Sequence, residues 1–283
     1  MDFRHFDQRR YPTVSAAEGY RDWSRTYEQS VHDEMDLRLL QRLTSIGWPA
    51  IERAADLACG TGRVGAWLRE RGVQRIDGID LVPEMLAQAR ARGVYDRLTV
   101  GDVRSTPLES GQYDLVIQSL ADEHFPDLCP LYREASRLLC TTSETQEAPL
   151  PQGGGDPSSR ETLGVRAGRR APSEPSPTFV IVGYHPHFLM MGMPTHFHRD
   201  DGSAVTIESH IHLLSDHIKA ARGEGLSLTE MEEGIVDDAW LAAKPKWQPY
   251  RHHPISFAMV FRTCEASGAT AQAAPKISTA AAP

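Results

Sequence analysis

The sequence predicts an α/β fold built on a doubly wound, mostly parallel, seven-stranded sheet with helices on both faces. Between Ile51 and Phe261, short apolar runs alternate with segments of helical periodicity, which is the rhythm of a parallel sheet with crossover helices. The chain has 283 residues and is 40% hydrophobic, so it is long enough to bury a full core. Acidic residues follow three successive apolar runs, as expected where a ligand crevice forms at strand ends.

Seven apolar runs are predicted to be strands. They lie at residues 54–58, 75–79, 98–100, 113–119 and 178–183, with later ones near 226–235 and 256–262. Helices are predicted at residues 32–43, 63–71 and 83–92. The second of these places Val64, Trp67 and Leu68 on one face, and the third opens with Pro83 at a first-turn position.

Composition excludes several classes of protein. A formal net charge of −8 and a pI near 5.8 argue against a nucleic-acid platform. The four cysteines form no C-x-x-C pair, which indicates neither a disulfide framework nor a zinc knuckle. No apolar run has the length of a membrane span or of a signal peptide. We therefore expect a cytoplasmic protein with no membrane or nucleic-acid partner, and the sequence leaves the oligomeric state open.

The strongest local signal is the run Asp-Leu-Ala-Cys-Gly-Thr-Gly at residues 56–62, between a predicted strand and a predicted helix. Glycines let a ligand approach the backbone, and a helix N-terminus offers free N–H groups to a carboxylate. Asp80 closes the next strand, where an acid would meet a ribose diol. Asp102 follows the third strand, so acids at three successive strand ends converge on one crevice.

With these motifs the chain resembles the class I S-adenosylmethionine-dependent methyltransferases, especially the group of small-molecule and quinone-biosynthesis enzymes. The resemblance covers residues 11–140 and 178–263 and implies a Rossmann-like fold with S-adenosyl-L-methionine as cofactor. The residues that we assign to the cofactor on this basis are Asp56, Ala58, Cys59, Gly60, Gly62, Asp80, Leu81, Asp102, Val103 and Gln118.

The resemblance also implies a role for most of these residues. Asp56 and the glycine turn would hold the methionine part, Asp80 the ribose hydroxyls and Asp102 the adenine amino group. Leu81 and Val103 would enclose the adenine ring. Ala58 departs from the family pattern, which often has a third glycine there, and an alanine is tolerated if its φ is negative.

The segment after the fourth strand faces the transferable methyl group in the proteins that this chain resembles. His124 is the first candidate for a general base, with Asp122 as its catalytic neighbour, and Ser119 lies on the acceptor side. The alternative is that His124 only caps a helix or bonds within the loop.

Further acceptor-side candidates come from an aromatic cluster and from a histidine-rich region. The cluster is Tyr20, Trp23 and Tyr27 at helical spacing, which fits either core packing or a lid. Nine of the twelve histidines lie from His185 onward, and they include three His-x-His pairs. We place His185 and His196 beside an acceptor pocket with Met190, Met191, Met193 and Phe197, and we expect no metal, since spacing alone is not a ligand set.

These assignments divide the chain into five segments. Residues 1–50 form an N-terminal helical lid, 51–140 the cofactor-binding half, and 178–263 the remainder with an acceptor cap near 186–217. Residues 141–177 are expected to be a disordered insertion and 264–283 a disordered tail, because their composition cannot bury enough surface. Trp240 is expected at the pocket edge.

Three functions fit the sequence. The first is methyl transfer to a small, partly apolar metabolite. The second is methylation of a protein or RNA, which the acidic charge and the absence of a basic patch disfavour. The third is an S-adenosylmethionine-binding protein without turnover, which would bind the cofactor but label no acceptor.

Overall fold

The computed structural model describes residues 1–30, 35–140, 176–193 and 195–263 of the chain. The predicted insertion at 141–177, apart from its last two residues, and the predicted tail at 264–283 lie outside these ranges. The helices are α1 (Ala16–Trp23), α2 (Tyr27–Ser30), α3 (Met35–Arg42), α4 (Arg63–Glu70), α5 (Pro83–Arg92), α6 (Cys129–Leu138), α7 (Pro186–Met190), α8 (Leu214–Gly223) and α9 (Asp238–Ala243).

Ten strands form two sheets. The strands are β1 (Thr13–Val14), β2 (Arg53–Leu57), β3 (Arg75–Asp80), β4 (Arg97–Val100), β5 (Leu115–Ser119), β6 (Thr178–Tyr184), β7 (His196–His198), β8 (Ala204–Ile207), β9 (Leu226–Ile235) and β10 (Pro254–Thr263). Short 3-10 helices occupy Phe3–His5, Trp48–Ala50, Asp122–His124 and Pro245–Tyr250.

The main sheet has seven strands in the order β4-β3-β2-β5-β6-β10-β9. Strands β2 to β6 run parallel, and β10 is antiparallel to both of its neighbours. All seven predicted strands are present, so the predicted fold class is confirmed. The order places the carboxyl ends of β2, β3, β4 and β5 along one edge, where the sequence expects the crevice.

Helices cover both faces of the sheet because successive strand residues point to opposite sides. In β5, Val116 belongs to the core beneath α6 and α8, whereas Leu115 and Ile117 belong to the core beneath α3 and α4. Among the described residues, no helix is long and apolar enough to cross a membrane.

The N-terminal region differs from the helical lid expected at residues 1–50. Strand β1 pairs in parallel with β8, with Thr13 opposite Thr206, and β7 completes a second sheet of three strands. Leu39 and Leu40 of α3 are buried in the main core. The described part of this segment therefore contains helices, a strand and a layer of the main core. A strand of only two residues is too short to show the alternating pattern by which a strand is predicted from a sequence.

Candidate functional site

A cavity of about 310 Å³ opens at the carboxyl ends of β2 to β5. Its wall includes eight of the ten predicted cofactor residues and does not include Gly62 or Gln118. The eight are Asp56, Ala58, Cys59, Gly60, Asp80, Leu81, Asp102 and Val103. Acids that are far apart in sequence thus meet in one crevice, as the strand-end pattern predicts.

The turn after β2 contains three alternate positions, Ala58, Gly60 and Gly62, where the backbone has a positive φ. Gly60 has φ +54° and Gly62 has φ +84°, and both are conformations that glycine adopts without strain. Ala58 has φ +58°, so the condition under which an alanine is readily tolerated here, a negative φ, is not met. Leu120, at the end of β5, also has a positive φ of 52° and lines the same cavity. Strained backbone of this kind persists where the surrounding structure enforces it.

Replacing Ala58 by glycine should stabilise the protein. A left-handed conformation costs an alanine about 1–2 kcal/mol, and glycine avoids this cost. The greater conformational freedom of glycine in the unfolded chain cancels part of that gain. We expect Ala58→Gly to raise the free energy of unfolding by about 0.5–1 kcal/mol. Urea denaturation of both proteins measures this difference, and a loss of stability in the variant would contradict the assigned backbone conformation.

Asp80 ties the two strand ends of the site together. One carboxylate oxygen accepts from the backbone N–H of Gly60 at 2.8 Å, and the other accepts from the N–H of Val82 at 2.8 Å. Burial raises the pKa of Asp80. Each carboxylate oxygen has a further lone pair, so Asp80 keeps acceptor capacity toward a ligand hydroxyl in the cavity.

The adenine end of the predicted site is apolar on its faces and acidic at its edge. Val103 is buried, whereas Leu81 leaves 52% of its surface exposed at the cavity wall, as expected of an apolar side chain that a ring would cover. Asp102 pairs with Arg104 at 2.7 Å, and this hydrogen bond lowers the pKa of Asp102. The Arg104 guanidinium lies 5.8 Å above the Phe125 ring, which also lines the cavity.

The methionine end of the predicted site is rich in buried acid. Burial raises the pKa of Asp56 to about 7, and the carboxylates of Asp80 and Asp36 add to this shift. Tyr95 donates a hydrogen bond to Asp56 at 2.6 Å. A buried acidic wall favours a ligand that carries positive charge, and S-adenosylmethionine has a sulfonium and an ammonium group.

Sequence reasoning missed two residues of this wall. Asp36 of α3 is 1% exposed, accepts from Ser119 at 3.0 Å and forms an ion pair with Arg63 at 2.7 Å. Both Asp36 and Arg63 line the cavity. A signal was present, because Asp36 stands on the same helical stripe as Leu39 and Leu40, where an acid interrupts the apolar pattern.

The N-terminal region directly contacts the cofactor turn, the segment at residues 58–62 between β2 and α4. Glu28 accepts a hydrogen bond from the Thr61 hydroxyl and forms an ion pair with Arg92 at 2.9 Å. Arg92 also donates to the Thr61 carbonyl at 2.7 Å. Residues 31–34, between this contact and the Asp36 contact, lie outside the described ranges. The N-terminal region is therefore joined to the turn after β2 by the Glu28–Thr61 hydrogen bond and to the start of α4 by the Asp36–Arg63 ion pair.

On the acceptor side, His124, Tyr20, Tyr27 and Ser119 all line the cavity. The Tyr20 hydroxyl lies 3.0 Å from His124 Nε2, and His124 Nδ1 lies 2.8 Å from the Glu208 carbonyl oxygen. Trp23 does not line the cavity. It packs behind the two tyrosines, stacked on Phe197 at 5.4 Å between ring centroids. The cluster thus serves as core packing and as cavity wall at once.

Two predicted site residues face away from the cavity. Asp122 is 3% exposed, with one carboxylate oxygen 3.5 Å from His217 Nε2 on the far side of the turn. Gln118 is fully buried, and its amide oxygen is placed to accept from the backbone N–H groups of Ser119, Ala121 and Asp122. The structure therefore does not bring Asp122, expected to be catalytic, or Gln118, expected to contact the cofactor, to the cavity wall. Gln118 instead fixes the turn that carries His124.

Gly183 of β6 leaves the space that Asp122 occupies. A Cβ there would lie 2.5 Å from an Asp122 carboxylate oxygen and 2.8 Å from Phe257 Cζ. We expect Gly183→Ala to lower the free energy of unfolding by about 1–3 kcal/mol, as overpacking does. Gly223→Ala is the matched control, since no atom lies within 4 Å of its added Cβ. Thermal denaturation compares the two, and equal stability would contradict this packing.

The structure places the other residues predicted on the acceptor side, His185 and His196, outside the cavity wall. His185 caps α7 by accepting from the His187 N–H at 3.1 Å, and its other ring nitrogen lies 3.0 Å from Glu233. His196 contacts Arg9 on the surface. The wall of the cavity includes none of the remaining side chains expected there, which pack in other clusters: Met190, Met191, Met193, Phe197 and Trp240.

The histidine-rich region supports the acceptor side from behind. His212 Nε2 donates to the Phe125 carbonyl at 2.7 Å, and the His210 backbone N–H donates to the Glu123 carbonyl at 2.6 Å. Tyr132 and His217 form a buried hydrogen bond of 2.9 Å beneath Asp122. Within the described ranges, no three His, Cys, Asp or Glu side chains are placed to hold a metal ion.

The cavity lies at the carboxyl ends of parallel strands. A glycine turn follows β2, and acids follow β3 and β4, an arrangement typical of nucleotide-binding sites. Residues 55–143 match a family model described as a methyltransferase domain. This stretch, about a third of the chain, is thus similar to a methyltransferase domain. Methyltransferase-like protein 27 of Homo sapiens is 32% identical over 150 residues, which cover 46% of this chain and 58% of the human protein.

Two further proteins are similar over different extents. A malonyl-(acyl-carrier protein) O-methyltransferase of Enterobacter lignolyticus is 32% identical over 115 residues, covering 40% of this chain and 44% of that enzyme. The structure of an S-adenosylmethionine-dependent methyltransferase from Mesorhizobium loti is 21% identical, covers 80% of this chain and 96% of that one, and superposes with a TM-score of 0.54. The chain spans about half the length of the curated relatives that it matches.

Proposed function

We propose that this protein transfers a methyl group from S-adenosylmethionine to a small, partly apolar metabolite by in-line displacement. The observation that carries this proposal is the meeting, in one cavity, of the cofactor residues from β2, β3 and β4 with His124 and Tyr20. When bound, S-adenosylmethionine supplies an electrophilic methyl carbon on a positively charged sulfur. The chain's own residues have to orient the two reactants and exclude water.

Asp80, Leu81, Asp102 and Val103 would hold the nucleoside end, which fixes the direction of the cofactor along the strand ends. Asp36 and Asp56, with Arg63, would hold the methionine end. This leaves the wall around His124 and Phe125 for the acceptor, with His124 as the group that removes a proton.

Size and charge support a small acceptor. The whole cavity of about 310 Å³ is near the lower limit of ordinary ligand pockets, about 300–1,000 Å³, and it has to receive the cofactor as well, so it leaves room for only a small acceptor. Near His124 the cavity wall includes the apolar side chains of Phe125 and Leu120, which suit a partly apolar acceptor. The chain's net charge of −8 gives no support to a nucleic-acid substrate.

The proposal is tested by incubating the purified protein with methyl-labelled S-adenosylmethionine and separated small-molecule, protein and RNA fractions of its host. We expect label in the small-molecule fraction. Label only in protein or RNA would show that the substrate is a macromolecule. Cofactor binding without any transfer would favour a binding protein without turnover.

A further inference from the structure

Tyr20 and His124 form a hydrogen-bonded pair on the acceptor side of the cavity. A carbonyl oxygen only accepts, so the contact from His124 Nδ1 to the Glu208 carbonyl at 2.8 Å places the imidazole proton on Nδ1. Nε2 then carries the lone pair and accepts from the Tyr20 hydroxyl at 3.0 Å. The imidazole is thus held in the tautomer that can take a proton at the nitrogen facing Tyr20.

A buried carboxylate stands beside the same nitrogen. Glu123 is 1% exposed, and its Oε1 lies 3.5 Å from His124 Nε2. Oε1 accepts one hydrogen bond, from the Thr195 hydroxyl at 3.2 Å, and Oε2 has no hydrogen-bond partner among the described residues. Burial raises the pKa of the Glu123 carboxyl, and a positive charge on the adjacent His124 favours its ionised form.

Building on the function proposed above, we infer that Tyr20 meets the methyl acceptor and relays its proton to His124, while Glu123 stabilises the imidazolium that forms. Tyr20 would be a catalytic residue because its hydroxyl touches the acceptor, and Glu123 a positioning residue because it acts through His124. Nothing in the sequence pattern singles out Glu123.

The step balances in atoms and charge. The acceptor X–H bond breaks as its proton passes to the Tyr20 oxygen, and the Tyr20 proton passes to His124 Nε2. The freed electron pair on X forms the X–CH₃ bond, and the S–CH₃ bond breaks with its electrons on sulfur. One positive charge disappears from sulfur and one appears on the imidazole beside Glu123, where a fixed carboxylate favours it. Burial raises the pKa of Tyr20, so Tyr20 transmits the proton without standing as a phenolate.

This relay defines the class of acceptor. It suits a hydroxyl, phenol or N–H group, which must lose a proton as it is methylated. It gives no advantage to a carboxylate, which is already ionised at neutral pH. The other groups that face His124 are the Glu208 carbonyl and, from the segment after β8, His210, while Asp122 points to the opposite side of the turn.

The relay is tested first without any acceptor. Nitrogen NMR of ¹⁵N-histidine-labelled protein bound to S-adenosylhomocysteine, with His124 assigned through His124→Gln, should show the Nδ1–H tautomer at pH 8. Tyr20→Phe should shift the Nε2 resonance. Glu123→Gln should also shift the Nε2 resonance of His124, because the carboxylate lies beside that nitrogen, whereas Glu208→Gln, which retains its backbone carbonyl, should shift it far less. An Nε2–H tautomer, or no effect of Glu123→Gln, would overturn the relay.

The second measurement uses label transfer to the small-molecule fraction. We expect Tyr20→Phe and His124→Gln to lose about 100-fold in rate with cofactor affinity retained within about twofold. Tyr11→Phe, a tyrosine outside the cavity wall, should transfer at the wild-type rate. Transfer by Tyr20→Phe at the wild-type rate, or a methyl ester as the labelled product, would contradict the relay. Absence of transfer by the wild-type protein would instead refute the proposed function, and the NMR result would still decide the relay.

Discussion

Replacing Asp80 by alanine is expected to lower the affinity for S-adenosylmethionine by at least tenfold. In the family that this chain resembles, this carboxylate takes the ribose hydroxyls, and a hydrogen bond to a charged group contributes about 1.5–3 kcal/mol. The same change also removes the acceptor for the Gly60 and Val82 N–H groups, which hold the cofactor turn against the end of β3. Isothermal titration calorimetry measures the dissociation constants of both proteins.

Two further variants serve as controls for this experiment. Asp80→Asn retains the shape and one acceptor oxygen, so we expect an affinity between those of wild type and Asp80→Ala. Asp201→Ala removes a carboxylate from an exposed turn and should bind as the wild type does. An unchanged affinity for S-adenosylmethionine in Asp80→Ala would contradict the assignment of Asp80 to the ribose hydroxyls.

Binding of S-adenosylmethionine should depend strongly on pH because of Asp56. Its pKa is raised to about 7, so the carboxyl is mostly protonated at pH 6 and mostly ionised at pH 8. The ammonium group of the methionine part binds the ionised form, and binding therefore releases a proton. The affinity is expected to rise about tenfold from pH 6 to pH 8.

Asp56→Asn isolates this effect. Asparagine keeps an oxygen that accepts from Tyr95 but does not titrate, so the pH dependence should largely disappear. Stability changes in the opposite direction: Asp56 loses its proton near pH 3.9 in the unfolded chain but near 7 in the folded one, so stability falls as pH rises between these values. A wild-type affinity that is flat over this range would contradict the placement of Asp56 beside the cofactor's positive charge.

The sheet and its crevice could be predicted because both leave local patterns in the sequence. Apolar runs of strand length locate β2 to β6, and parallel order brings Asp56, Asp80 and Asp102 to one edge. These residues lie at strand ends, where the direction of the chain fixes where the side chains meet. The two-residue β1 strand and its partner β8 escape such reasoning, because their pairing joins residues nearly 200 positions apart.

Side-chain direction in turns and caps could not be predicted. Asp122 and His124 lie two residues apart in a 3-10 helix, and only the backbone path after Leu120 decides that His124 faces the cavity. The His-x-His pairs share a face only in a strand, yet His185 caps α7 while His187 lies inside it. The spacing of these histidines in the sequence therefore did not show which groups surround them.

The most direct test of the account is a crystal structure of the protein with S-adenosylhomocysteine. We expect adenine between Leu81 and Val103, the ribose hydroxyls on Asp80, and the sulfur facing Tyr20 and His124. A nucleoside bound elsewhere, or bound here with its sulfur turned away from His124, would contradict the assignment of this cavity as the site of methyl transfer.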